Sequence, residues 1–151
     1  MVEFSLSLPD ERATARLGAA IADRLRAGDV VALSGPLGAG KTALARGAIA
    51  RLTGTAEAPS PTFPLVATYE AAQFTLWHFD LYRLEKAEDV WELGFEEALD
   101  GTCLIEWPER IEGLLPADTL LIRLSMDGDR RRALVRGGGE WAKRLAGLNP
   151  A

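Results

Sequence analysis

The chain has 151 residues, 48% hydrophobic and 26% charged, with a formal net charge of −5 and a pI of about 5.0. That length sets a single domain, residues 1–151, able to bury a core. Its acidity argues against a stand-alone RNA or DNA binder, because neutralising phosphates drives such binding. Cys103 is the only cysteine, which excludes an internal disulfide or a cysteine-built metal centre. The start, Met1-Val2-Glu3-Phe4, lacks the basic and apolar regions of a secretory leader. No run approaches the ~18 apolar residues of a membrane span. A cytoplasmic protein without membrane contact is therefore expected.

Residues 10–27 predict a first helix, with Leu17, Ile21 and Leu25 on one face, Pro9 at its start and Gly28 at its stop. Asp29 to Ser34 is a short apolar run read as a buried strand. Residues 41–52 favour a second helix, closed by Gly54. Residues 55–63 are a loop. Leu65 to Tyr69 and Phe74 to Phe79 read as two antiparallel strands around a turn at 70–73. Glu88 to Leu99 is helical in pattern but interrupted at Gly94. Thr102 to Glu106 is an apolar strand ending in an acid. Leu120 to Leu124 and Arg131 to Val135 flank Met126-Asp127-Gly128-Asp129, a hairpin signal, and residues 140–147 suggest a last helix. The order implies an α/β sandwich with a parallel core and antiparallel additions.

Between the first strand and the second helix lies Gly35-Pro36-Leu37-Gly38-Ala39-Gly40-Lys41-Thr42, a complete G-x-x-x-x-G-K-[ST] phosphate loop. Its glycines let successive backbone N–H groups face phosphate oxygens. Leu37, Gly38, Ala39, Gly40, Lys41 and Thr42 are the candidate nucleotide contacts. Lys41 can reach the β- and γ-phosphates, and the Thr42 hydroxyl can ligate Mg²⁺. The following helix presents the positive end of its dipole to the same anion.

Hydrolysis needs an acid near the metal and a group that orients water. Glu106 ends an apolar strand, where a Walker B acid sits. Asp80 ends Trp77-His78-Phe79-Asp80 and would emerge on the same rim if the two strands are neighbours. Either acid could instead cap a turn. Thr62 is a candidate switch threonine or a turn residue beside Pro61. His78 is the sole histidine. Without nearby partners for a metal site, structural hydrogen bonding suits it better than proton transfer. Arg83 and Arg110 could serve as arginine fingers or in surface ion pairs. Trp107 could cover the site or pack in the core. Arg130-Arg131-Arg132 with Arg136 is the densest basic patch, better read as a solvated hairpin turn than as an RNA contact. Guanine-reading segments of the Asn-Lys-x-Asp type are excluded, since Asn149 is the only asparagine, so ATP is favoured over GTP.

Taken together, Leu33 to Thr42, Ser60-Pro61-Thr62-Phe63, His78-Phe79-Asp80-Leu81-Tyr82-Arg83 and Leu104-Ile105-Glu106-Trp107-Pro108 resemble the TsaE (YjeE) family. Order and spacing agree over about residues 8–125, from the opening Leu-Pro-Asp-Glu at 8–11. The phosphate loop is common to many families, whereas the combination is specific. The resemblance implies a P-loop NTPase fold with a mixed sheet and weak, Mg²⁺-dependent ATP hydrolysis. It implies Lys41 and the loop amides on phosphate, Thr42 and Glu106 on Mg²⁺, Asp80 as catalytic together with Lys41, and Glu11 near the nucleotide. It also implies action with TsaD and TsaB in making threonylcarbamoyladenosine in tRNA, with tRNA reached through that complex. A second reading is a nucleotide-gated binding module in which hydrolysis is incidental. A small-molecule kinase is a weaker third, with little room for an acceptor domain.

Overall fold

A computed structural model describes residues 1–55, 58, 61 and 65–150. Seven strands form one sheet: β1 (Val2–Leu8), β2 (Val30–Ser34), β3 (Val66–Glu70), β4 (Thr75–Asp80), β5 (Thr102–Glu106), β6 (Leu120–Asp127) and β7 (Arg130–Gly137), in the spatial order β1-β7-β6-β2-β5-β4-β3. The four central strands, β6, β2, β5 and β4, run parallel. β7 and β1 on one side and β3 on the other are antiparallel to their neighbours. The expected mixed sheet, parallel inside and antiparallel outside, is the one observed.

The central strands alternate between two cores, as a sheet covered on both faces must. Val31, Leu33, Leu76, Leu104, Ile122 and Leu124 face α1 (Glu11–Ala22) and α2 (Lys41–Thr53). Val30, Phe79, Cys103 and Ile105 face the opposite layer. That layer contains 3-10 segments Ala87–Leu93 and Pro108–Leu114, with the one-turn helix α3 (Phe95–Ala98). A last short helix, α4 (Trp141–Arg144), packs Trp141 onto the first core.

The two long helices cross at glycines. A Cβ on Gly18 of α1 would lie 2.0 Å from the Leu44 carbonyl oxygen, and one on Gly47 of α2 would lie 2.1 Å from the Ala15 carbonyl oxygen. Neither position leaves room for a methyl group, so the backbones meet directly. This brings the start of α1 beside the phosphate loop that leads into α2.

Several elements differ from their sequence patterns. β1 carries no strand in the sequence reading, yet it alternates buried and exposed residues and pairs along its whole length with β7. α1 stops at Ala22, well before Gly28; the Arg24 and Leu25 amides bond to Ile21 and Ala22 in a tightened last turn. Its N-cap is Asp10, whose side chain accepts from the Ala13 amide at 2.8 Å, one residue after the expected Pro9. The stretch 88–99 breaks at Gly94 (φ 89°) as expected, but its first half is 3-10. The hairpin is as read, longer at both ends, with Gly128 (φ 64°) first of its two loop residues. The terminal helix is a single turn.

Candidate functional site

α2 begins where the phosphate loop ends: Gly40, at φ 108°, is its N-cap and Lys41 its first residue. Gly38 (φ 79°) and Gly40 occupy the left-handed region that favours glycine. No side chain caps the helix, so its first amides remain for a ligand. The loop lies at the bottom of a cleft of about 580 Å³.

The far wall of the cleft comes from β4 and β5. Their register sets Asp80 opposite Glu106 at the carboxyl ends of two adjacent parallel strands. Both acids point to the α1–α2 side, since they share strand parity with Leu76 and Leu104 of that core. Both are buried, Asp80 8% and Glu106 2% exposed. Thr42 Oγ1 donates to Glu106 Oε1 at 2.9 Å, across 64 residues of sequence. His78 Nε2 meets Glu106 Oε2 at 2.7 Å. Asp80 accepts the Tyr82 amide at 3.1 Å, a bond that turns the chain at the strand end.

Lys41 is folded in beneath Trp107. Its ammonium donates to the carbonyls of Gly35 and Pro36, the latter at 3.1 Å, and stands 3.8 Å from the centre of the Trp107 ring. Burial pushes its pKa below the usual lysine value, while Glu106, Glu109 and Asp80 oppose that shift. Trp107 itself is held at φ 59°, an uncommon conformation for a bulky residue, and its ring packs on Tyr82 at 4.9 Å.

The sequence-predicted residues thus converge. Glu11, Leu37, Gly38, Ala39, Gly40, Lys41, Thr42, Asp80, Arg83 and Glu106 all border one cleft. Trp107 meets both of its options, lining the cleft and packing against the second core, and His78 makes a hydrogen bond, to Glu106. Arg110 is exposed and does not line the cleft. Thr62 lies outside the described residues. Arg131, which the sequence places in a solvated hairpin turn, is a lining residue that its pattern does not signal. It borders the cleft and sits 3.4 Å from the Gly38 carbonyl oxygen. Arg46, a second basic lining residue, donates to the Ala58 carbonyl at 2.6 Å. Only the position of Arg46 one turn beyond Thr42 could have signalled it.

The donor set fits a hard cation beside a phosphate chain. Thr42 and Glu106 offer oxygen only. Among the described residues no group of three or more His, Cys, Asp or Glu forms a cage. Two oxygen donors from the protein are compatible with Mg²⁺, which keeps water and phosphate oxygens in its shell. Also among the described residues, no helix is long and apolar enough to cross a membrane.

A strand, a glycine loop on a helix N-terminus and a strand-end acid bonded to the loop threonine define a P-loop NTPase fold. Residues 8–134 match the family model described as threonylcarbamoyl adenosine biosynthesis protein TsaE. Curated relatives carry the name tRNA threonylcarbamoyladenosine biosynthesis protein TsaE. One from Rickettsia felis is 43% identical over 129 residues, 84% of this chain and 75% of that protein. One from Bacillus subtilis is 39% identical over 130 residues, 84% and 79% respectively. The crystal structure of Bacillus subtilis YdiB superposes with a TM-score of 0.79 at 27% identity, covering 97% of this chain and 93% of that one. The chain belongs to the TsaE family.

Proposed function

We propose that the protein binds ATP with Mg²⁺ and hydrolyses it slowly, in support of threonylcarbamoyladenosine formation in tRNA. The observation that carries this reading is the Thr42–Glu106 bond at the foot of the phosphate loop, with Lys41 and Asp80 beside it. Bound Mg²⁺ would supply charge neutralisation across the β- and γ-phosphates. The chain's own residues do the rest. The amides of residues 37–42 cradle the phosphates, Lys41 turns from its carbonyls and the Trp107 ring toward them, and Thr42 and Glu106 hold the cation. Asp80 orients water at the strand end. Glu11, across the cleft on α1, stands near the nucleotide.

The names of the relatives supply the process. The working partners in this reading are TsaD and TsaB, with tRNA reached through their complex in the cytoplasm. A purified TsaB–TsaD pair, tRNA, ATP and the threonylcarbamoyl donor test it: adding this protein should raise product beyond one turnover. An Asp80→Asn variant should bind ATP but fail to do so. Product formation indifferent to the protein would overturn the reading. Full support by Asp80→Asn would favour the nucleotide-gated binding module, with hydrolysis incidental.

A further inference from the structure

β4 buries Leu76, His78 and Asp80 on one side, with Phe79 buried and Trp77 partly buried on the other. His78 is thus the one polar interruption between an apolar stripe and the acid at its end. It is fully buried, paired in register with Leu104, where a leucine would match the surroundings. Its ring makes one hydrogen bond, Nε2 to Glu106 Oε2 at 2.7 Å. Among the described residues Nδ1 has no partner. A proton on Nδ1 would be a buried donor with no acceptor among the described residues, and would leave the Nε2 lone pair against a carboxylate oxygen. A ring proton on Nε2 meets neither cost, so the bond is assigned as a donation to Glu106. An unpartnered ring nitrogen in the core is a standing cost, and packing gives no reason for it. What it secures is the orientation of a carboxylate whose other oxygen faces Thr42.

We propose that His78 is a positioning residue: its Nε2–H holds Glu106 Oε2 and so presents Oε1, beside Thr42 Oγ1, to a divalent cation. The inference rests on the nucleotide-site reading above. Thr42 does not fix the carboxylate by itself, because it holds only Oε1, the oxygen that would take up the cation, and its own oxygen is the second ligand. The His78 bond approaches from the sheet interior, away from the loop, and holds Oε2. Groups that hold a metal ligand from behind set its orientation, and losing one weakens the metal by about 10–100-fold.

The test uses the untagged full chain and its His78→Leu and His78→Gln variants. Glutamine carries an N–H the same number of bonds from Cβ as Nε2. ADP affinity is measured by calorimetry in EDTA and then across a Mg²⁺ series, with thermal melts alongside. In EDTA the three proteins should agree within about twofold. The Mg²⁺ concentration giving half of the full enhancement should rise about 10–100-fold in His78→Leu, and His78→Gln should recover most of it. The same Mg²⁺ dependence in all three would overturn the proposal. So would equal losses in both variants that follow their melting temperatures. Should His78→Leu not fold, the ring of the wild-type protein, the sole histidine of the chain, still decides by ¹⁵N NMR. A neutral ring protonated at Nε2 that shifts with Mg²⁺·ADP, and not with ADP in EDTA, supports the role; a signal indifferent to Mg²⁺ rejects it. No ADP binding by the wild-type chain under either condition would instead sink the nucleotide-site reading.

Discussion

Thr42 and Glu106 are joined by a 2.9 Å hydrogen bond that ties the first turn of α2 to the end of β5. Replacing Glu106 by Gln keeps the shape and one acceptor but removes the charge. Nucleotide affinity in EDTA should change little, whereas its enhancement by Mg²⁺ should fall by about tenfold or more. Calorimetric titrations with and without the cation check this. Undiminished enhancement in Glu106→Gln would remove Glu106 from the metal site.

Lys41 is held by two loop carbonyls and the Trp107 ring, and an ammonium so placed is ready to exchange carbonyl oxygens for phosphate oxygens. Lys41→Ala should lose about 1.5–3 kcal/mol of charge-assisted bonding to the nucleotide, about 10–100-fold in affinity. The measurement is ADP or ATP binding by the variant, with its circular dichroism showing an intact fold.

Gly18 and Gly47 face carbonyl oxygens at distances no Cβ can occupy. Gly18→Ala and Gly47→Ala should each destabilise by about 1–3 kcal/mol, despite alanine's better helix propensity. For a chain of this size that lowers Tm by roughly 2–12 °C. Gly113→Ala, where a Cβ meets open space, is the control and should melt like the parent. Alanine variants at 18 and 47 that melt with the control would refute the close crossing.

Burial pushes the Cys103 thiol from 9.0 up to about 12. The native thiol should therefore resist a thiol reagent at pH 8 and react once the chain is unfolded in denaturant. The raised value also carries a pH dependence. Below about pH 9 both states keep the proton and the burial costs nothing extra. Between about 9 and 12 only the unfolded chain ionises, so stability falls as pH rises through that window. Denaturant midpoints of the wild type and Cys103→Ala across it read the effect, and a wild-type curve no steeper than the variant's would reject it.

Most of this architecture was legible because its signals are local. The phosphate loop, the apolar run before it and the helix pattern after it occupy neighbouring positions, and backbone chemistry alone makes them strand, cradle and helix. Asp80 and Glu106 were recognisable as acids at the ends of apolar runs. β1 was written in the sequence and missed there: Val2-Glu3-Phe4-Ser5-Leu6-Ser7-Leu8 alternates apolar and polar residues without a break. What no local pattern shows is its pairing partner β7, about 130 residues away. The early end of α1 was hidden. Leu25 keeps the helical spacing and stays buried, but it does so from a tightened turn.

The sequence by itself determined the ligand class, because a glycine loop followed by Lys41 and Thr42 needs no distant residue to cradle phosphate. It also carried the family, through short motifs in a fixed order. The tertiary structure alone decided which acids meet that loop. Setting β4 beside β5 in parallel register brings Asp80 and Glu106 to one rim, and the hydrogen bonds of Thr42 and His78 to Glu106 follow from that placement. It likewise turned Arg131 from a hairpin residue into a wall of the cleft. The physical reason is that strand order and register arise from burying two apolar faces at once, and those long-range contacts are not written in any one window of the chain.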